Sequence, residues 1–179
     1  FPTLIHEAKL DIETHEKLNM LTYIKNNGKD DDLHIMSYFK SLANKILECS
    51  EKILKDGGYE FEKIEITNMW GNLLNKGESH SPHTHSNNIL SGVYYLQSGS
   101  PIQFFDPRPA ASILKPRNTV NWDNSGMIQF DSTVDIALFF PSWLMHWVPP
   151  TTEERVSISW NIIVRGEYGE PHTLQNAYI

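Results

Sequence analysis

The sequence predicts an α+β fold that is mainly β, a barrel or sandwich with helices laid over one sheet face, in one compact domain. Three observations predict it. The hydrophobic period changes from that of a helix to that of a strand after Gly58. Most of the five Trp, seven Tyr and eight Phe fall beyond that point, and aromatic residues favour strands. At 179 residues the chain is long enough to close one core.

A short strand-like piece spans Leu4 to Leu10. From Ile12 to Lys25 the apolar residues Ile12, Leu18, Leu21 and Ile24 recur at helical spacing and predict a first helix. Asp30, Asp31 and Asp32 then precede Ile35, Met36, Phe39, Leu42, Ala43, Ile46, Leu47, Ser50, Ile53 and Leu54, an i, i+3, i+4, i+7 stripe that stops at Gly57 and Gly58. Acidic residues suit a helix start and glycine suits its stop, so a second helix is expected to open at the Asp run. Cys49 lies within this stripe and is expected to pack as a small apolar side chain. Residues 1–58 therefore read as a helical support segment, and 59–179 as the β core. From Tyr59 to Leu74 the chain alternates through Ile64, Ile66, Asn68, Trp70 and Asn72. Further strand-like runs follow at Ile89–Gln97, Ile102–Phe105, Met127–Phe130, Ile136–Phe140 and Arg155–Arg165, punctuated by Asn, Gly, Ser and Pro. The stretch Arg108–Asn124, with Pro109 and Pro116, predicts a long loop, either a lid over a substrate or an ordered connection.

Composition narrows the function classes. With 22 Asp and Glu against 15 Lys and Arg, the net charge of −7 excludes a broad basic footprint for nucleic acid or an anionic membrane. One cysteine excludes an intrachain disulfide scaffold and a thiolate metal cluster, and fits a reducing compartment, the cytoplasm. No apolar run approaches the roughly 18 residues of a membrane span, and Phe1, Pro2 and Thr3 do not open a secretory leader. The oligomeric state is not legible, although the aromatic surface expected of a small barrel is compatible with a homodimer.

The chemistry concentrates in histidine. Three of eight histidines, His80, His83 and His85, fall within six residues. On extended backbone His83 and His85 leave the same face and direct two imidazoles to one place, as a divalent transition metal requires. An exposed histidine pair in a turn is the plainer alternative. His146 follows an apolar strand in IALFFPSWLMHWVPP. Nine residues on, RVSISWN alternates Arg155, Ser157 and Ser159 with Val156 and Ile158. An arginine and two hydroxyls on one face of a buried strand need an anionic partner, either a bound carboxylate or a protein Asp or Glu. An amide at Asn72 inside a barrel also needs partners, which a bound ligand could supply. Trp70 and Trp160 are read as packing residues, and Asp106 with Arg108 as a rigid turn.

The run WGN, HTH, LSGVYYL, FFDPRP, FFPSWLMHWVPP and RVSISWN resembles the iron(II)- and 2-oxoglutarate-dependent oxygenases, and more narrowly a small group of such oxygenases from bacteria and phages. The resemblance covers Asn68 to about Val164, and its final portion, FPSWLMH with RVSISWN, is the specific part. It implies a double-stranded β-helix, a jelly-roll or cupin-like barrel, and an oxygenase using Fe(II), 2-oxoglutarate and O2, with hydroxylation as the default outcome. By position, His83 and His85 match the paired metal ligands and His146 the distal one. Arg155 and Ser157 match the residues that take the far carboxylate of 2-oxoglutarate, and Tyr95 matches a tyrosine that helps hold it. Asn72 also sits at a motif position.

One departure matters: most members carry Asp or Glu where this chain has His85, so three neutral ligands would leave the metal one charge unit more positive. His80 in place of His83, or Asp106 as a missing carboxylate, stay open as alternatives. Two rival functions remain. One is a metal-binding cupin-like barrel without turnover, and the other a three-histidine cupin-type dioxygenase that does not use 2-oxoglutarate. Neither needs Arg155 with Ser157 behind the metal. The substrate, small molecule or peptide, is not legible.

Overall fold

The computed structural model describes residues 3–27, 30–111, 113–114 and 116–179. The expectation about a leader falls partly on Phe1 and Pro2, and that of the long loop partly on Ser112 and Lys115, all outside the described residues. Eleven strands and two helices are present among those described: β1 (His6–Lys9), α1 (Thr14–Asn27), α2 (Lys40–Asp56), β2 (Lys63–Leu74), β3 (His80–His83), β4 (Leu90–Gln97), β5 (Ile102–Phe105), β6 (Met127–Phe130), β7 (Ile136–Pro141), β8 (His146–Val148), β9 (Arg155–Arg165), β10 (Glu167–Tyr168) and β11 (Ala177–Tyr178). The major sheet runs β1-β7-β4-β9-β2 and the minor sheet β3-β8-β5-β6, with β10 and β11 forming a small hairpin. All strand pairs are antiparallel. Residues before 58 contribute more than helices, because β1 pairs with β7 at the edge of the major sheet.

Strand alternation divides the major sheet into a helix side and a barrel side. On β9, Val156, Ile158, Trp160, Ile162 and Val164 join the core under the helices, and the intervening Arg155, Ser157 and Ser159 border a cavity between the sheets. On β7, Ala137 and Phe139 face the helices while Leu138 and Phe140 face the barrel. The barrel's apolar filling comes from Val93, Tyr95, Ile102, Phe104 and Leu144 with those two. Trp160 is fully buried, as expected, opposite Gly92 on β4.

The alternation through Ile64, Ile66, Asn68, Trp70 and Asn72 is broken in β2. Its register against β9 shifts between Ile66 and Asn68, leaving Thr67 as an extra residue. Ile66 and Met69 therefore share the helix side, and Trp70 and Asn72 turn to the cavity. Gly71 lies against α1, where a Cβ would stand 2.7 Å from the Ile24 side chain.

The helices match the expected stripes in part. α1 buries Met20 and Ile24, but Leu18 is 58% exposed and Ile12 is buried ahead of the helix. α2 buries Leu42, Ala43, Ile46, Ser50 and Leu54. It stops where expected: Gly57 N–H donates to the Ile53 carbonyl, Tyr59 N–H to the Leu54 carbonyl, and Gly58 adopts φ +78°. Its start differs from the expectation. Two 3-10 turns, Leu33–Ile35 and Ser37–Phe39, intervene, separated by extended Met36. The Asp run instead lies along β2, the outer strand of the sheet, where Met69 N–H donates to the Asp31 carbonyl at 2.8 Å. An edge strand needs such a partner for its free N–H groups, and this requirement outweighs the dipole preference that made the run look like a helix start. Cys49 is half-buried against the same core, and burial raises its thiol pKa.

Candidate metal and cosubstrate site

The three expected histidines come together, though not by simple alternation. Rungs His80–Val148 and His83–His146 join β3 to β8, with three steps on β3 against two on β8. The extra residue, beside Pro82, turns His80 and His83 to the same inner side. His85 lies beyond β3 in the following turn, where its N–H donates to the Ser142 carbonyl at 2.8 Å. Its metal-binding atom and those of His83 and His146 lie within 4.8 Å of one another.

The ring orientations follow from local hydrogen bonds. His83 Nδ1 lies 2.7 Å from the Ser81 carbonyl oxygen, and His146 Nδ1 lies 2.9 Å from that of Leu144. A carbonyl oxygen only accepts, so each Nδ1 carries the proton and each Nε2 keeps a lone pair. This is the tautomer a metal-binding imidazole adopts when a backbone carbonyl orients it. His85 Nε2 and His146 Nε2 stand 3.3 Å apart, with rings 5° from parallel. Two nitrogens bonded to one ion at about 2.1 Å and at right angles are about 3 Å apart, so the pair is close to a coordinating separation. Burial, reinforced by the charge of His83, pulls the His85 pKa down to about 4. Burial does the same at His146, also to about 4, against the opposing Leu144 hydrogen bond. Both rings are thus neutral at pH 7, the form that binds metal.

Across a cavity of about 400 Å³ stands Arg155, 1% exposed. Its Nε donates to the Ser100 carbonyl at 3.1 Å and its Nη1 to Ser157 Oγ at 3.0 Å, and no carboxylate among the described residues pairs with it. Burial lowers its pKa. The guanidinium carbon is 5.1 Å from the centre of the Tyr95 ring. The buried Tyr95 hydroxyl has no well-aligned hydrogen bond among the described residues, although the neighbouring guanidinium acts on it, and burial outweighs that cation and pushes its pKa up to about 12. A buried cation without a counter-charge among the described residues, with an unaligned hydroxyl beside it, calls for an anion that accepts from both. Three imidazole lone pairs at one end of a cavity and an anion site at the other fit a divalent iron and a dicarboxylate that chelates it.

The other expected residues divide. Asn72 lines the cavity, but its amide is engaged within the protein, accepting from Trp70 Nε1 at 3.1 Å and donating to Ser159 Oγ at 3.0 Å. Part of its hydrogen-bonding capacity is thus met by the protein itself. Trp70 is no packing residue: it forms a cavity wall beside His85, ring centres 5.8 Å apart. Asp106 lies away from the histidines, held by Arg108 through Nε at 2.9 Å and Nη2 at 2.8 Å, in the rigid turn expected of it. His80 borders the cavity without joining the three-histidine cluster.

The model of the family described as "Putative 2OG-Fe(II) oxygenase" matches residues 68–161, more than half of the chain. The chain belongs to this family. It is accordingly an Fe(II)- and 2-oxoglutarate-dependent oxygenase, an oxidoreductase that consumes O2. No curated protein matches the chain. Among solved structures it is similar to a prolyl-4-hydroxylase from Pseudomonas putida, at 14% identity and a TM-score of 0.62, over 90% of this chain and 86% of that one. The non-heme, alpha-ketoglutarate-dependent epimerase SnoN of nogalamycin biosynthesis aligns at 12% identity and a TM-score of 0.66, over 96% and 83%. HygX from Streptomyces hygroscopicus, crystallised with nickel and 2-oxoglutarate, aligns at 9% identity and a TM-score of 0.61, over 90% and 82%. These likenesses identify the fold of the oxygenase as the double-stranded β-helix.

Proposed function

We propose that His83, His85 and His146 are the protein ligands of Fe(II), and that Arg155, Ser157 and Tyr95 take the far carboxylate of 2-oxoglutarate, in an enzyme that hydroxylates its substrate. The observation that carries this reading is a pairing across one cavity. Three imidazole nitrogens converge at one end, and a buried guanidinium that no carboxylate among the described residues pairs with stands at the other. A metal-only barrel, or a three-histidine dioxygenase independent of 2-oxoglutarate, has no use for the second feature.

When bound, Fe(II) and 2-oxoglutarate supply the oxidising power: one oxygen atom of O2 enters succinate as CO2 leaves, and the other enters a substrate C–H bond as hydroxyl. The chain supplies geometry and charge. Ser81 and Leu144 carbonyls fix the rings of His83 and His146, and the Ser142 carbonyl fixes the backbone of His85. Arg155 neutralises the far carboxylate, with Ser157 and Tyr95 completing its hydrogen bonds. Val93, Ile102, Phe140 and Val148 keep one side of the cavity apolar and limit water. Asn72 accepts from Trp70 Nε1 and so orients that wall of the cavity. The three neutral ligands leave the metal one unit more positive than two histidines and a carboxylate would.

Substrate choice belongs in this reading to the 108–124 loop, and residues 1–58 act as support for the 59–179 core. No helix among those described is long and apolar enough to cross a membrane. The lone half-buried cysteine supports a cytoplasmic setting.

The test is anaerobic addition of Fe(II) and then 2-oxoglutarate to metal-free protein. A visible metal-to-ligand charge-transfer band is expected, because it requires both to bind at one centre. Its absence, with Fe(II) bound, would remove the cosubstrate assignment.

A further inference from the structure

We propose that His80 is a further cosubstrate-binding residue, its imidazole N–H donating to the far carboxylate of 2-oxoglutarate alongside Arg155 and Ser157. The proposal rests on the site reading above. The extra residue in β3 places His80 on the same inner side as His83, one rung along from the His83–His146 pair. From that rung the chain runs toward Arg155. Glu78 accepts a backbone hydrogen bond from Thr151, and Thr151 and Arg155 both crowd the backbone of Gly99, where a Cβ would stand 2.9 Å from Thr151 Oγ1 and 2.5 Å from Arg155 Cβ. His80 thus lines the same cavity as the three histidines and Arg155, within which a molecule spanning the metal and the guanidinium would lie.

The chemistry of the ring suits that place. His80 is half-buried and borders the cavity, and no hydrogen bond from a described residue contributes to its ionisation. Burial first, and the Arg155 charge second, lower its pKa, so the ring is a neutral donor with one N–H. A carboxylate offers about four lone-pair sites, so it can accept from several donors gathered at one end of the cavity. Two of the five Arg155 N–H groups are held by Ser100 and Ser157, which fixes the plane of the guanidinium and leaves the others for the carboxylate.

The experiment titrates Fe(II)-loaded wild type, His80→Ala and His80→Gln anaerobically with 2-oxoglutarate. In parallel, 2-oxobutyrate, which has the same 2-oxo acid head without the far carboxylate, is titrated on the same proteins. His80→Ala is expected to weaken 2-oxoglutarate binding about tenfold, the loss of one hydrogen bond to a charged group. Fe(II) affinity and 2-oxobutyrate binding should stay at wild-type values, and His80→Gln, which keeps an N–H, should recover most of the loss. Unchanged 2-oxoglutarate affinity in His80→Ala overturns the proposal, as does an equal loss for both oxo acids. A fall in Fe(II) affinity overturns it by making His80 a metal ligand. A wild-type protein that binds Fe(II) but gives no charge-transfer band defeats the underlying site reading, an outcome distinct from a wild-type band that His80→Ala leaves unmoved.

Discussion

Side chains in this site are defined as much by what they lack as by what they touch. Among the described residues Arg155 has two hydrogen bonds, to Ser100 and Ser157, and no counter-charge. Arg155→Ala should leave Fe(II) binding near wild type and weaken 2-oxoglutarate by roughly ten- to hundredfold, since a charge-assisted hydrogen bond contributes about 1.5–3 kcal/mol. Calorimetry on the Fe(II)-loaded variant measures it, and undiminished cosubstrate affinity would mean that Arg155 serves only the fold. His85 gives a second prediction, because it hangs from a turn held by Ser142 instead of from a strand. A turn can adjust to a shorter anionic ligand, so His85→Asp should keep both Fe(II) and 2-oxoglutarate, whereas His85→Ala should lose at least about tenfold in Fe(II) affinity. Wild-type affinity in both variants would take His85 out of the site. These residues were legible because imidazole and guanidinium in a buried context have few uses. The role of Trp70 was not, since an indole reads alike on either side of a strand and only the extra residue at Thr67 decides which side it takes.

Strands differ in how clearly they announce themselves. β5, β6 and β9 have the bounds expected from alternation, and β4 and β7 differ by one residue at an end. β3 and β8, with four and three residues, are too short and too polar to show a period, yet they carry His83 and His146. Their pairing exists only because the two chains meet across the minor sheet, a contact no local pattern encodes. The second helix was legible in its stripe and its glycine stop, but not in its start, which a backbone hydrogen bond to Met69 displaces. Packing between elements gives a further prediction at Gly92. A Cβ there would lie 2.2 Å from Trp160 Cζ2 and 2.6 Å from the Leu138 carbonyl oxygen, so neither a rotamer change nor a backbone shift relieves the overlap alone. Gly92→Ala should cost about 1–3 kcal/mol or more in denaturant unfolding. A neutral result would show that Trp160 can leave its place over β4 without loss.

The whole molecule joins two sheets around one site, with the histidines supplied from the minor sheet side and Arg155 from the major sheet. Its acid stability should report on that arrangement. In the metal-free protein His85 and His146 titrate near pH 4, whereas unfolded histidine titrates near about 6.5. Above the unfolded value both states are neutral and the stability is fully present. As pH falls from there toward 4, the unfolded chain takes up protons that the folded chain refuses, so stability is lost across that window. His80, also lowered by burial, acts in the same direction. Carboxylates do not account for the upper part of the window: those of Glu65, Asp106, Asp135 and Glu154 are held below their ordinary values, so their loss begins only near about pH 4.5. Net charge opposes the trend, because the chain moves from −7 toward neutrality near its isoelectric point of 5.6 and self-repulsion falls. The denaturation midpoint of metal-free protein should therefore drop between pH 7.5 and pH 5, and the drop should shrink when His85 and His146 are both replaced by Asn. A double variant whose midpoint falls as much on acidification as that of wild type would mean that the rings protonate freely in the folded state, and so are not enclosed between the sheets as the structure has them.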